Sequence, residues 1–175
     1  MLQTSRIALR APEPSDLDFL FDFENDTTLW PVSLSLTPFS REVLRQYLEN
    51  ATADIYAARQ LRLMVCLRET DNIVIGTVDL FDFEPLHQRA GVGIALAAAQ
   101  RGKGYGLEVL QLLEAYAAQV LQLHQLYCSV GQENTASLKL FRQAGFQEIG
   151  VRQEWLRTPG GWQNVVEFQK LLSVS

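Results

Sequence analysis

With 175 residues, 47% of them hydrophobic, the chain is long enough to bury one sizeable core without disulfides or metals. A net charge of -5 and a pI near 5.0 argue against a broad nucleic-acid surface, and no basic run or base-stacking motif is present. Two cysteines, Cys66 and Cys128, are too few for a disulfide framework and lack metal-ligand spacing. No apolar run approaches the roughly 20 residues of a membrane span, and MLQTSRIALR lacks the apolar stretch of a signal peptide. The expectation is a soluble, cytoplasmic, single domain over residues 1–175, with no metal, membrane or nucleic-acid partner.

Hydrophobic periodicity predicts the elements in chain order. Arg6 to Arg10 reads as a short strand, and Glu13 to Phe23 as a helix opened by Pro14 and Asp16. Asp26 to Phe39 is irregular and apolar; Arg41 to Ala58 reads as a second helix with Ser40 or Thr37 near its start. Leu61, Leu63, Val65 and Leu67 alternate with Arg62, Met64, Cys66 and Arg68, and beyond the turn residues Glu69 to Asn72 a strand resumes over Ile73 to Glu84, making a hairpin. Ala90 to Ala97 is a strand whose lack of polar alternation predicts burial on both faces.

The segment RGKGYG, Arg101 to Gly106, follows that strand and opens an amphipathic helix over Leu107 to Leu121, which turns Leu107, Leu110, Leu113, Ala117 and Val120 to the sheet. Leu126 to Val130 is a strand, and Asn134 to Gln143 a short helix ending at Gly145. Phe146 to Trp155 and Trp162 to Leu172 are strands joined by the turn Thr158 to Gly161. The result is an α/β (α+β) fold, a mixed sheet with helices on its faces. Trp30, Trp155 and Trp162 are expected to cover the core and an acceptor pocket.

Three glycines in RGKGYG let the backbone approach a ligand closely, and a helix start supplies unpaired N–H groups at the positive end of a dipole. This is an anion cradle suited to a pyrophosphate. It is not a P-loop, which would need glycine at Ala97 and Ser or Thr at Gly104. Nor is it a dinucleotide fingerprint, because several strands precede it.

The segment from Gly76 to Phe146 resembles the GNAT superfamily of N-acetyltransferases. Its cofactor motif R/Q-x-x-G-x-G/A is met by Arg101, Gly104 and Gly106, and ENTASLKLFRQAGF, Glu133 to Phe146, is similar to the family's second motif. IALRAPEPSDL and EWLRTPGGWQNVVEFQKL extend the likeness to the subgroup of ribosomal-protein N-terminal and spermidine N-acetyltransferases. The resemblance implies a mostly antiparallel sheet of about seven strands with about four helices, in which Ala90 to Ala97 and Leu126 to Val130 splay apart around acetyl-CoA. It implies cofactor contacts from Ile94, Ala95 and Leu96, from Arg101, Gly102, Lys103, Gly104, Tyr105 and Gly106, and from Asn134, Ser137, Phe141 and Arg142. A backbone N–H along Ile94 to Leu96 would polarise the thioester carbonyl.

An alkylamine of pKa about 10.4 needs roughly 3.5 kcal/mol more than an α-amine near 7.8 to become neutral at pH 7, so a polyamine enzyme has the greater need of a base. Glu154 and Glu84 are the expected carboxylates for that chemistry, and Glu24, Asp79, Asp82 and Glu84 the expected contacts of a cationic substrate. Asp79 and Asp82 would lie on opposite faces of a regular strand, so either a bulge or only one of them is implicated. Phe141 departs from the family's tyrosine, whose phenol protonates the leaving thiolate; Ser137 is the substitute expected. The acceptor expected first is a polyamine such as spermidine. The alternatives are a ribosomal-protein N-terminus and a non-catalytic acyl-CoA-binding module, and a homo-oligomer, dimer or larger, is implied in each case.

Overall fold

The computed structural model describes residues 2–33, 35–51 and 54–172. One seven-stranded sheet forms the centre, in the order β1-β2-β3-β4-β5-β7-β6. The strands are β1 (Ile7–Arg10), β2 (Leu61–Leu67), β3 (Ile73–Glu84), β4 (Arg89–Leu96), β5 (Gln125–Gly131), β6 (Gln147–Thr158) and β7 (Gly161–Leu171). Every pairing is antiparallel except β4 with β5. The described helices are α1 (Leu17–Glu24), α2 (Trp30–Ser33), α3 (Arg41–Glu49), α4 (Ile55–Ala58), α5 (Tyr105–Gln119) and α6 (Thr135–Gln143). Among the described residues no helix is long and apolar enough to cross a membrane.

Two helical layers divide the faces. On one face α5 and α6 pack Val109, Leu110, Leu113, Leu138 and Phe141 against alternate strand residues such as Val78, Val92, Cys128 and Phe168. On the other, α1 and α3 bring Leu20, Leu44 and Leu48 onto Met64 and Cys66 of β2. This second layer is confined to the β1–β2 side. The half of that face made by β4, β5 and β7 carries no such cluster among the described residues.

Several expectations change, and Val120, expected to face the sheet, is 51% exposed as the C-cap of α5. The helix predicted over Arg41 to Ala58 ends at Glu49, with Asn50 as its C-cap; Asp54 then caps a separate turn by accepting from the Tyr56 N–H at 3.1 Å. Capping by a side chain competes with helix continuation, and here it wins. Burial of β4 on both faces is also incomplete. Ala90 and Val92 are buried against α5, while the opposite face carries Gly91 beneath the Phe81 ring and then a half-buried Gly93 and Ala95. Trp155 and Trp162 cover neither core nor pocket; they are 55% and 63% exposed on the β6–β7 hairpin.

The helix predicted from Glu13 begins as a tight turn over Pro14–Asp16. Asp16 is buried, accepting from both terminal nitrogens of Arg10 at 2.7 Å and from the Glu13 N–H at 2.8 Å. Burial works against its charge, yet the Arg10 bonds and the Glu13 N–H hold its pKa below the ordinary value. A depressed folded-state pKa adds stability that is complete above the unfolded value of about 3.9 and is lost as pH falls through the folded one. Asp16→Asn is therefore expected to lower stability at pH 7 by about 1–3 kcal/mol. The gap to the parent protein should close as thermal melts are run from pH 6 toward pH 2.

Candidate active site

The glycine loop connects β4 to α5. Gly104 is the N-cap of α5 at φ +84°, with no side-chain cap, so the first N–H groups of a 15-residue helix are left for another acceptor. Most side chains are strained at that φ. Behind the loop stands Arg6, from the segment before β1. Its Nη1 donates to the Lys103 carbonyl at 3.3 Å, its Nε donates to Glu108 at 2.7 Å, and its guanidinium lies 4.9 Å from the Tyr105 ring centre. Burial opposes the Glu108 charge, but bonds from Thr4 and Arg6 keep its pKa below the usual range. Glu108 is thus an anion already neutralised, and it does not repel a second anion from the helix start.

Lys103 and Arg101 are exposed at the rim. Lys103 Nζ donates to Gln100 at 3.0 Å, and Arg101 Nε to the Leu96 carbonyl at 2.9 Å. A Cβ on Gly102 would meet nothing within 4 Å, so the mouth is open. Backbone N–H groups, one ammonium and one guanidinium suit a pyrophosphate, and the cradle fits that part of coenzyme A.

Beside the loop the sheet divides. β4 and β5 pair only over Arg89–Gly91 and Gln125–Tyr127, after which β5 continues along β7 while β4 keeps β3 alone. The Ala97 N–H donates to the Ile75 carbonyl at 2.8 Å. Antiparallel alternation from that bond assigns the N–H groups of Ala95 and Gly93 to β3 and turns those of Ile94 and Leu96 toward the gap. Of the three residues expected at the thioester, Ile94 and Leu96 offer donors there and Ala95 does not.

Across the gap, Asn134 caps α6, its Oδ1 accepting from the Ser137 N–H at 3.1 Å while its Nδ2 keeps two protons for a ligand. Ser137 is half-buried in the first turn of α6. Phe141 is buried, its ring 5.1 Å from Phe146 and 6.1 Å from Phe168, and it has no proton to give. Arg142, at the other end of α6, donates to Glu148 at 2.6 Å.

The predicted substrate and catalytic carboxylates scatter. Glu24 and Asp79 are both taken by Arg62, whose Nε donates to Asp79 Oδ1 at 2.7 Å and whose Nη1 donates to Glu24. Their exposures are 14% and 16%, so an internal guanidinium occupies the position expected for a substrate cation. Burial opposes the Arg62 charge, but Asp79 and then Glu24 raise its pKa above the ordinary arginine value. Glu84 lies opposite Arg89 at the closed end of the gap, five residues or roughly 16 Å along β4 from Ile94. Glu154 is exposed on the edge strand β6, at φ +48° in a bulge held by its own N–H donating to Asn164 Oδ1 at 2.8 Å. Glu84, Glu154 and Ser137 are therefore not brought together.

Asp82 does reach the open face. A bulge between Phe81 and Glu84, with Asp82 at φ +48°, brings its carboxylate within 3.5 Å of the Tyr127 hydroxyl. Burial and then the Asp82 charge push the Tyr127 phenol up. Two residues along β5, the Ser129 hydroxyl sits 3.0 and 2.9 Å from the two oxygens of Glu167 on β7, which also pairs with Arg152 at 3.0 Å. The functional placement of Arg6, Arg62, Ser129 and Glu167 is not legible in the sequence. The available signal was polar Tyr127 and Ser129 alternating in an apolar strand, together with Glu167 set among Val166 and Phe168.

A family profile described as acetyltransferase (GNAT) domain matches residues 6–147. An uncharacterized N-acetyltransferase, p20, of Bacillus licheniformis is 29% identical over 171 residues, covering 97% of this chain and 95% of that protein. The crystal structure of spermidine N-acetyltransferase from Vibrio cholerae in complex with CoA and spermine superposes with a TM-score of 0.85 at 26% identity, covering 97% of each chain. A dodecameric structure of spermidine N-acetyltransferase from Vibrio cholerae gives 0.80 at 27% identity, over 97% of this chain and 96% of that one. With a profile match over most of its length and this structural likeness, this chain belongs to the GNAT acetyltransferase family and is an acetyl-CoA-dependent N-acetyltransferase.

Proposed function

We propose that the acceptor is a polyamine such as spermidine, acetylated on a primary amine. The observation that carries this reading is the likeness, over 97% of both chains, to an enzyme solved with CoA and spermine. The acids of the open face support it, since Asp82 and Glu167 offer negative charge beside the gap while Glu24 and Asp79 do not. In this reading Arg101 to Gly106 hold the pyrophosphate of acetyl-CoA, Asn134 donates to its pantetheine arm, and the N–H of Ile94 or Leu96 receives the carbonyl charge that develops as the amine attacks. The acetyl group passes directly from sulfur to nitrogen, with no covalent enzyme intermediate.

A protein N-terminus is the second reading, favoured by Phe141 together with Ser137 in the first turn of the same helix. An α-amine is the easier nucleophile at neutral pH and needs less from a base. Thiol release with spermidine, spermine, aminoglycosides and N-terminal peptides separates the two. Turnover on the polyamines at kcat/KM at least tenfold above any peptide is expected, and turnover on peptides alone would reject the polyamine. We further propose a cytoplasmic homo-oligomer. The exposed Ile149, Val151, Trp155 and Trp162 on the β6–β7 edge hairpin support it, as does the dodecamer formed by the Vibrio cholerae relative.

A further inference from the structure

On the face turned away from α5 and α6, strand register lines up one transverse row of side chains. Arg62 pairs with Asp79, Asp79 lies opposite Gly93, and Ser129 lies opposite Glu167. Continuing the β4–β5 register two residues past Gly91 and Tyr127 brings Gly93 level with Ser129 across the gap. Gly93 keeps this row open, because a Cβ there would meet only the Phe81 ring at 3.8 Å. Its neighbour Ile94 is one of the two residues, with Leu96, whose N–H turns toward the gap.

Two acids flank that opening, and they differ. Asp79 is neutralised by a guanidinium 20% exposed and shared with Glu24. Glu167 is 16% exposed; its cation is Arg152, half in solvent and stacked 4.6 Å from the Trp155 ring, where water screens the pair. Both oxygens of Glu167 face the Ser129 hydroxyl, which stands on the side toward the gap. Toward β3 the same face carries Tyr127 and Asp82, and beyond them Arg89, opposite Glu84 at the closed end of the gap.

We propose that Ser129 takes the proton of the attacking ammonium on its hydroxyl, positioned by Glu167, which accepts the hydroxyl proton in turn. This rests on the reading of the acceptor as a primary amine. The ammonium N–H goes to Ser129 Oγ while the hydroxyl proton of Ser129 passes to Glu167. The released lone pair forms the C–N bond to the acetyl carbon. As the C–S bond breaks, the surplus proton on the new amide nitrogen goes to the sulfur, giving a thiol, and Glu167 returns its proton to water through the open face. One ammonium and one thioester thus become one amide, one thiol and one proton, and no other co-reactant is needed.

Glu167→Gln and Ser129→Ala test this with alkylamines whose pKa values run from about 10 to about 6, assayed at pH 7. Glu167→Gln is expected to lose about 10²–10³-fold in kcat on the most basic amine, with acetyl-CoA affinity and melting temperature unchanged. The deficit should shrink to a few-fold on the least basic amine, which is already neutral. Ser129→Ala should follow the same trend with a smaller loss, since a water can bridge. An unaltered kcat on basic amines would overturn the role, as would a loss equal on every amine. If the parent enzyme turned over no amine at all while still binding acetyl-CoA, the acceptor reading itself would fall, and this role with it.

Discussion

Replacing Arg62 by methionine is expected to cost about 3–5 kcal/mol of folding stability, the largest effect of any single substitution considered. Arg62 is 20% exposed, and it is the cation of two carboxylates, Asp79 through Nε and Nη2 and Glu24 through Nη1. Without it Asp79 on β3 and Glu24 at the end of α1 remain sequestered with like charges facing each other. The burial penalty that the guanidinium offset is then uncompensated. Tyr47 of α3, whose ring centre lies 5.7 Å from the guanidinium carbon, loses its partner as well. Urea unfolding reads the loss. A triple variant, Arg62→Met with Glu24→Leu and Asp79→Leu, removes charges and partners together and should regain most of it. A single variant less than about 1 kcal/mol below the parent would mean that the two acids reach water and that the cluster is not buried.

Gly104→Val is expected to have the second largest effect, on cofactor affinity more than on folding. The N-cap of α5 stands at φ +84°, where a β-branched residue is strained by about 1–3 kcal/mol. The loop relieves that strain by turning, which dissolves the convergence of its N–H groups. Losing one or two charge-assisted bonds to a phosphate is worth about 2–4 kcal/mol, or roughly 30- to 1,000-fold in affinity for acetyl-CoA. Arg6 bonds the Lys103 carbonyl and Glu108 in the first turn of α5, so part of the cradle's shape is imposed from the segment before β1, about a hundred residues away in sequence.

These two sites mark what the sequence could and could not tell. RGKGYG was legible because its signal is local: glycines for positive φ, a helix start, and an apolar strand before it. The hairpin of β2 and β3 and the capped helix α6 were legible for the same reason. Arg62 was not, since its alternation within β2 marked it as a surface residue, and only the packing of α1 against the strand brings Glu24 to it. That packing turned two expected substrate acids into an internal ion cluster. β4 misled in another way. Glycine and alanine leave no polar signature on a face, so an open lane beside the gap has the same pattern as a buried core strand. Phe81 closes one end of that lane by lying on Gly91, where a Cβ would come within 2.3 Å of its ring. Ser129 and Glu167 escaped notice because they are 38 residues apart and meet through the β5–β7 register, which depends on how far the β6–β7 hairpin extends and not on any local pattern.

In the proposed function, the amides from Arg101 to Gly106 hold the pyrophosphate of coenzyme A so that its thioester lies where β4 and β5 part. Isothermal titration of acetyl-CoA, and separately of CoA, into the parent protein and Gly104→Val tests it most directly. Saturable binding near one site per chain, weakened at least tenfold in the variant, is the predicted result. No detectable binding by the folded parent protein, or equal affinity in both proteins, would contradict it.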